Sequence, residues 1–381
     1  MTPFELSSEH EAFRKVVRRF AETEIAPHAA SWDRDHHFPE NVVRKMGDLG
    51  LFGLPFPERI GGGGGDFTGL CIAIEEIGRI DQSMGITLEA AVGLGINPIV
   101  AYGTQAQHDR WLPDLFAGRA LAAFGLTEPD AGSDAGATRT RAVLDGDEWV
   151  IDGAKAFITN SGSTLTSVIA VTARTGPEEI STLLVPAGTP GLVVEPAYHK
   201  MGWHASDTHG LVLDGCRVPA ENLLGERGRG FPQFLAVLDE GRIAIAALAL
   251  GLIRACLDVS VAYAKQRHAF GKPIGAKQGV AFPIADLQVM ADAAGLLVYR
   301  AAALRDAGAD ISQAAAVAKL YATEAAVAAT RVATQVHGGA GFIEEGPVAR
   351  FYRDAKILEI GEGTSEIQRL IIARRLGLPV D

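Results

Sequence analysis

Apolar residues along this chain change their spacing twice, and the changes divide it into three parts. From Ser7 to about Gly118 they recur at helical intervals, with Phe13, Val16, Val17 and Phe20 on one face and Arg14, Lys15, Arg18 and Arg19 on the other. Another helix is expected over Leu70 to Arg79, and a longer apolar stretch runs from Met84 to Tyr102. Near Leu121 the pattern becomes alternating and β-branched. Trp149-Val150-Ile151, Ser167 to Val171, Thr182 to Val185 and Leu211-Val212-Leu213 read as strands, with turns at Asp145-Gly146 and Asp214-Gly215. No helices alternate with these strands, so an antiparallel β unit is expected rather than a doubly wound sheet. After Gly230 helical spacing returns over Phe231 to about Arg267, Val280 to Asp306 and the alanine-rich Ile311 to His337. A last helix carries Ile367, Leu370, Ile371 and Leu376. The fold class is therefore α+β and multidomain: an all-α unit at 1–120, a middle antiparallel β unit at 121–228, and a helical bundle at 229–381.

Composition sharpens this. A chain of 381 residues suits two or three packed units, and 48% apolar content supplies a large core. The net charge of −11 sets the protein against nucleic acid and anionic membrane as main partners, while leaving room for a phosphate-bearing small molecule. Cys71, Cys216 and Cys256 are scattered and form no C-x-x-C pair, which reads as a reduced, intracellular chain without structural zinc. The start, Met1 to Leu6, has neither a basic segment nor an apolar signal core. The longest apolar runs, such as Ile243 to Ile253, read as too short or too interrupted to cross a bilayer. A cytoplasmic protein without membrane insertion is the expectation.

The histidines give no H-E-x-x-H and no Cys/His cluster, so no metal site is expected. There is no G-x-S-x-G elbow and no Rossmann segment. Gly61 to Gly65 lacks the flanks of a phosphate loop and reads as a flexible connector. Phe124 to Asp134 gathers hydroxyls, turn formers and free backbone N–H groups, suited to a turn or to gripping a polar ring or phosphate. Gln335 to Gly341 reads as a glycine-capped helix end or a backbone nest. Asp239 and Arg242 form an i,i+3 pair, and Arg267 and Gln278 flank a turn at Phe270 to Pro273. In Ile360 to Gln368 a carboxylate, Glu362, stands between Gly361 and Gly363, where the backbone turns freely. Ser365 and Gln368 have capping-box spacing, which would put Glu362 just outside a helix amino end.

Together these segments resemble the acyl-CoA dehydrogenases over essentially the full length, most closely the short-chain and branched-chain enzymes. The shared signatures are Thr127 to Asp134 (T-E-P-x-x-G-S-D), Phe157-Ile158-Thr159-Asn160, Lys200-Met201-Gly202 with Ser206, and Arg217-Val218-Pro219. Arg267-x-x-Phe270-Gly271 with Gln278, Gln335-x-x-Gly338-Gly339 and Glu362-Gly363-Thr364 follow in the family's order. The resemblance implies FAD, an acyl-CoA substrate, electron-transfer flavoprotein as acceptor, and a homotetramer (a dimer of dimers) with cofactor sites shared between subunits. It makes Glu362 the catalytic base. By the same resemblance Phe124, Leu126, Thr127, Phe157 and Thr159 face the flavin, and Ser133 lies where FAD and CoA meet. Arg267, Phe270, Gln278, Gln335, Gly338 and Gly339 hold the adenine half of a neighbouring subunit's FAD, while Thr364 and Glu366 reach its other end. Asp239 and Arg242 contact the CoA arm, and Leu248, Gly361 and Gly363 border the substrate.

Desaturating a thioester requires a base for the α-proton on one face and a hydride acceptor on the other. A buried Glu is strengthened for that task because burial raises its pKa. Some relatives carry the base on the long helix just before the arginine; here that position is Gly241, so Glu362 stands alone. Phe157 replaces the usual Trp, and Gly361 the usual Tyr. Gly85 stands where glutaryl-specific relatives carry an arginine, and Leu248 where short-chain relatives have Gln. A saturated, uncharged acyl group is expected, short to medium or branched, and bulkier near the thioester than butyryl. The alternatives are an oxygen-using acyl-CoA oxidase, which usually has a further carboxyl-terminal domain, and a non-catalytic CoA-binding relative.

Overall fold

The computed structural model describes residues 6–380. Helices α1 (Ser8–Phe20), α2 (Ala29–Asp35), α3 (Glu40–Asp48), α4 (Phe67–Ile80), α5 (Gln82–Glu89), α6 (Asn97–Tyr102) and α7 (Gln105–Phe116) come first. Their starts are fixed by side-chain caps: Asp66 accepts from Gly69 N at 2.7 Å and Asp81 from Met84 N at 3.0 Å. Thr104 and Gln107 form a reciprocal capping box on α7. A π-helical segment, Ala90–Ile96, joins α5 to α6.

The buried face of α1 differs from the sequence expectation. Arg14 faces inward and is buried, whereas Val16 is exposed. The reason is a buried pair of acids on α4: Arg14 Nη1 donates to Glu75 at 2.9 Å and to Glu76 at 3.0 Å. The Gly61 to Gly65 segment is not a flexible connector either. Its backbone N–H groups are all bonded, to Glu58, Pro57, Gly53, Phe56 and Leu54 carbonyls in turn, so it folds back over its own approach.

The middle unit contains β1 (Leu121–Gly125), β2 (Arg141–Asp145), β3 (Glu148–Thr159), β4 (Thr166–Arg174), β5 (Ile180–Pro186), β6 (Leu192–Val194), β7 (Thr208–Pro219) and β8 (Leu223–Leu224). The strand order is β6-β7-β3-β2-β4-β5-β8, with β1 added to β4. Pairing is antiparallel except where β4 meets β1 and β2, which it does in parallel. Asp214-Gly215 is a bulge inside β7, not a turn: two residues there face Asp152 alone, whose carboxylate accepts from Gly215 N at 2.8 Å.

The long helix α8 (Gly230–Gln266) is followed by a ribbon, β9 (His268–Ala269) and β10 (Lys272–Pro273). Phe270 and Gly271 form its turn with φ of 54° and 80°, the mirror-image geometry that suits a two-residue hairpin. Then come α9 (Gln278–Asp306), α10 (Ser312–His337), α11 (Pro347–Ala355) and α12 (Ser365–Arg375). Helix α8 packs against α4, α9 and α10, so one continuous core spans the first and last thirds of the chain. Alanines such as Ala246 and Ala249 on α8, and Ala315, Ala318 and Ala322 on α10, are fully buried and let the helices approach closely. Asp354 of α11 accepts from Trp203 N at 2.6 Å, tying the bundle to the β unit.

The expectation that no run could cross a bilayer needs correction. Gln82–Tyr102, Gly230–Gln266 and Gln278–Asp306 are each long and apolar enough. In the first two, 78% of the apolar window is buried inside the protein, so core packing accounts for the composition. In the third only 22% is buried. Its outer side carries exposed Phe282, Val289 and Leu296 at seven-residue spacing.

The joint between α1, α4, α8 and α9 is a buried ionic cluster. Glu75, fully buried, meets Arg14, Arg254 at 2.6 Å and the Tyr299 hydroxyl. Glu75→Ala should cost about 3–5 kcal/mol, because Arg254 and the Tyr299 hydroxyl lose their acid and buried Arg14 keeps only Glu76 to offset its charge. The shift of the denaturant midpoint measures this; a change under about 1 kcal/mol would contradict the joint's importance.

Candidate functional site

The turn between α11 and α12 presents Glu362. Thr364, not Ser365, caps α12: its Oγ1 accepts from Ile367 N at 3.3 Å, while Ser365 is the first helical residue and is buried. Gln368 does not complete a capping box but reaches back, donating to Gly363 O at 2.9 Å and Glu362 O at 3.4 Å. From α10, Lys319 Nζ donates to the same Gly363 carbonyl at 2.7 Å. These contacts hold Glu362 and Gly363 at φ of 52° and 93°. For Glu362 that left-handed conformation costs about 1–2 kcal/mol, and the cap of α12 is left to Thr364.

The carboxylate instead lies against α8. The residue as a whole is half-buried, but both carboxylate oxygens are sealed from solvent and accept no hydrogen bond from an amide, hydroxyl, ammonium or guanidinium group among the described residues. An added Cβ at Gly241 would collide with Glu362 Oε2, so only glycine leaves room on α8 for this approach. Burial raises the Glu362 pKa; a hydrogen bond with Glu89 and the charges of Arg242 and Lys319 oppose that rise. Lys319 is itself fully buried, and burial pulls its pKa down to about 8. Arg242 is buried and pairs with Asp239, whose pKa burial pushes up.

Leu248, two turns further along α8, is fully buried and fills the space left by Gly78 and Gly85. A side chain at Gly85 would run into it. Gly361 meets only Ile357 O, at 3.5 Å from an added Cβ, so the space beside the turn is open.

The Thr127 loop follows β1 and is anchored by its own acid. Glu128 is buried and accepts from Lys155 Nζ at 2.7 Å, Thr140 N at 3.0 Å and the Thr138 hydroxyl. Thr127 O accepts from Ala156 N at 2.8 Å, placing the loop beside β3. There the β3–β7 register slips between Lys155 and Ile158, and Phe157 takes φ of 62°. This bulge turns the Phe157 ring outward, 65% exposed and 5.2 Å from the Tyr198 ring, while Thr159 stays in register with Thr208. Phe124 stacks on Phe234 of α8 at 4.7 Å, and Leu126 is half-buried. Ser133 is exposed at the loop tip.

A second group gathers at the far end of the bundle. His337 stacks on Tyr263 at 4.3 Å, bringing the carboxyl end of α10 to that of α8. Arg267, Phe270, Gln278, Gln335, Gly338 and Gly339 are all exposed there. Added Cβ atoms at Gly338 and Gly339 would touch nothing within 4 Å, leaving an open cradle. Gly241 and the end of α8 lie roughly 38 Å apart at the helical rise. Thr364 and Glu366 stay with the Glu362 turn. The single chain thus brings Glu362 against the stretch of α8 that carries Asp239, Arg242 and Leu248, and leaves the Arg267 group at the other end.

Sequence reasoning missed Lys319, Glu89, Glu128 and Lys155. Signals existed for two of them: Glu89 is the one charged residue between Met84 and Tyr102, and Lys319 interrupts an alanine-rich helix. Glu128 sat inside a segment already singled out, but its partner Lys155 carries no mark in the sequence.

Residues 7–119 match the acyl-CoA dehydrogenase N-terminal domain, 123–216 its middle domain, and 228–377 its C-terminal domain. The chain is 49% identical to the probable acyl-CoA dehydrogenase YngJ of Bacillus subtilis, over 98% of this chain and 99% of the relative. The solved butyryl-CoA dehydrogenase of Megasphaera elsdenii superposes with a TM-score of 0.96 at 39% identity, covering 98% of this chain and 100% of that one. A chain from a structure concerned with the electron transferring flavoprotein of Acidaminococcus fermentans gives the same TM-score, 0.96, at 39% identity, covering 98% and 99%.

The Glu128 anchor has a pH signature. Its hydrogen bonds from Lys155, Thr138 and Thr140 outweigh burial and hold its pKa down to about 2, against 4.5. The stability it contributes is complete above pH 4.5 and is lost as pH falls toward about 2. Glu128→Gln should cost about 1–3 kcal/mol near neutrality. Denaturant midpoints of the two proteins should converge as pH is lowered through that window. A gap that stays constant with pH would contradict the anchoring role.

Proposed function

The chain belongs to the acyl-CoA dehydrogenase family, and from that premise we propose that it desaturates a saturated acyl-CoA thioester between the α and β carbons, with Glu362 as the base. The observation that carries this reading is the Glu362 carboxylate itself: sealed from water, bonded to no amide, hydroxyl or cation among the described residues, and carried on a constrained turn under the influence of the Arg242 and Lys319 charges. An acid in that setting is either a liability or a base kept ready for a proton.

The residues present fit FAD. An outward-facing aromatic at Phe157, the hydroxyl-bearing Thr127 loop and Thr159 suit the ring system, with Phe124, Leu126 and Ser133 beside them. The open Gly338–Gly339 cradle with Arg267, Phe270, Gln278 and Gln335 suits the adenine half. Bound there, FAD would accept the β-hydride. The length of α8 supports the reading that the Arg267 group serves a neighbour's cofactor, Thr364 and Glu366 reaching its other end. The exposed Phe282, Val289 and Leu296 stripe on α9 supports assembly, which we read as a homotetramer.

Glu362 removes the α-proton, and its own N–H, freed by Gly361 and Gly363, meets the thioester oxygen where enolate charge develops. Asp239 and Arg242 position the CoA arm. Electrons then pass to an electron-transfer flavoprotein, a reading supported by the Acidaminococcus likeness. The acyl group is uncharged and short to medium or branched: Leu248 leaves no room for a cation at Gly85, and Gly361 leaves space beside the reacting carbons.

Glu362→Gln should keep FAD and bind acyl-CoA, yet lose flavin reduction by several orders of magnitude, the scale for an essential base. Near-normal anaerobic bleaching of the yellow colour by the variant would sink the assignment. Gly361→Tyr should fit without backbone strain and fill the open space. Across straight, branched and aromatic acyl-CoAs it should shift preference toward slimmer chains, several-fold per buried methylene, at about 0.8 kcal/mol each. Coincident profiles for the two proteins would remove Gly361 from the pocket wall.

A further inference from the structure

Glu89 is an acid with no structural partner. It closes α5, is 0% exposed, and neither of its carboxyl oxygens is bonded to any donor among the described residues. Both Glu362 oxygens are in the same condition. The two carboxyl groups lie within hydrogen-bonding reach of each other. Each rests against a glycine: a Cβ at Gly93 would stand 3.1 Å from Glu89 Oε1, and Gly241 gives the equivalent room to Glu362.

Two carboxylates so placed, out of water, cannot both carry charge, so one proton stays between them. Its location follows from the surroundings. Arg242 from α8 and Lys319 from α10 act on Glu362, whereas Glu362 is the one charged group acting on Glu89. The ionised form therefore belongs to Glu362 and the proton to Glu89. An acid left in a core with no such role costs several kcal/mol, and an apolar side chain would fill the site better.

We infer that Glu89 is a positioning residue for the base: it stays protonated, donates its O–H to the Glu362 carboxylate, and keeps that carboxylate ionised and lodged against Gly241. The inference rests on Glu362 being the base. Burial pushes Glu89 well above the carboxylate range, and its hydrogen bond is the first of the influences that offset burial at Glu362. The donor sits on a fixed frame. Asn160 Nδ2 donates to Thr87 O at 3.2 Å, linking α5 to the strand that carries Phe157, and the π-helical segment begins directly after Glu89.

The test compares Glu89→Gln, which keeps a neutral donor, with Glu89→Ala, which removes it. Both are read on the holoenzyme as the pH profile of anaerobic flavin reduction, with the acyl-CoA that wild type bleaches fastest in the series above. Glu89→Ala should move the acid limb upward by on the order of one pH unit, about tenfold slower on the acid side, with the high-pH plateau retained. Glu89→Gln should restore the limb to near its wild-type position. An infrared difference spectrum of wild type minus Glu89→Gln, which needs no substrate, should show the loss of a protonated carboxyl band near neutrality. An acid limb indifferent to Glu89→Ala, a limb that falls in both variants, or no lost band would overturn the inference, the second because it means Glu89 is charged. Parallel measurement of Glu362→Gln separates the two readings. Retained bleaching there overturns the base assignment itself, whereas an inactive Glu362→Gln beside an indifferent Glu89→Ala overturns the role of Glu89 alone.

Discussion

A carboxylate kept from water without a salt bridge is the constraint on which this structure depends. Glu362 can occupy that position only because α8 has no side chain at Gly241, and because Lys319 and Gln368 clamp the carbonyl of Gly363 from two helices. The cations Arg242 and Lys319 are near enough to favour its charge, yet make no hydrogen bond to either oxygen. The acid is held ionisable rather than neutralised, and the left-handed turn that carries it is strained in a way its neighbours over-determine.

The same logic recurs in the β unit. Glu128 is the mirror case, an acid satisfied by Lys155, the Thr138 hydroxyl and backbone N–H groups, and it fixes a loop instead of reacting. Its bonds reach β3 and the 138–140 approach to β2, and Lys155 also donates to Leu126 O at 3.1 Å, so one buried ion pair sets the position of Thr127 relative to Phe157. The β3 bulge then aims Phe157 outward, an arrangement a regular strand would not produce, because alternation would be kept through that position.

Helix α8 relates these parts. It carries Gly241, Arg242 and Leu248 against the amino-terminal helices, stacks Phe234 on Phe124 of the sheet, and ends beside the exposed Arg267 group. The ionic joint at Glu75 and the hydrogen bond from Trp203 N to Asp354 hold the helical thirds and the sheet around it. Rigidity in these buried contacts is what allows one glycine-lined contact to place a carboxylate reliably.

The sequence by itself determined the layout: helical spacing, then alternation, then helical spacing again, because periods of 3.6 and 2 are local properties that any stretch displays. It also marked Glu362, since a carboxylate between glycines before an apolar helix is visible in nine residues. Local rules failed where a distant partner decides. Arg14 reads as surface until Glu75 is brought to it, Gly61 to Gly65 reads as slack until its N–H groups find carbonyls, and the cap falls to Thr364 while Gln368 is drawn to Gly363. Glu89 shows the limit most plainly. Some 270 residues separate it from Glu362, and no propensity or spacing connects them; only packing, which buries both and leaves each without another partner, makes them a pair.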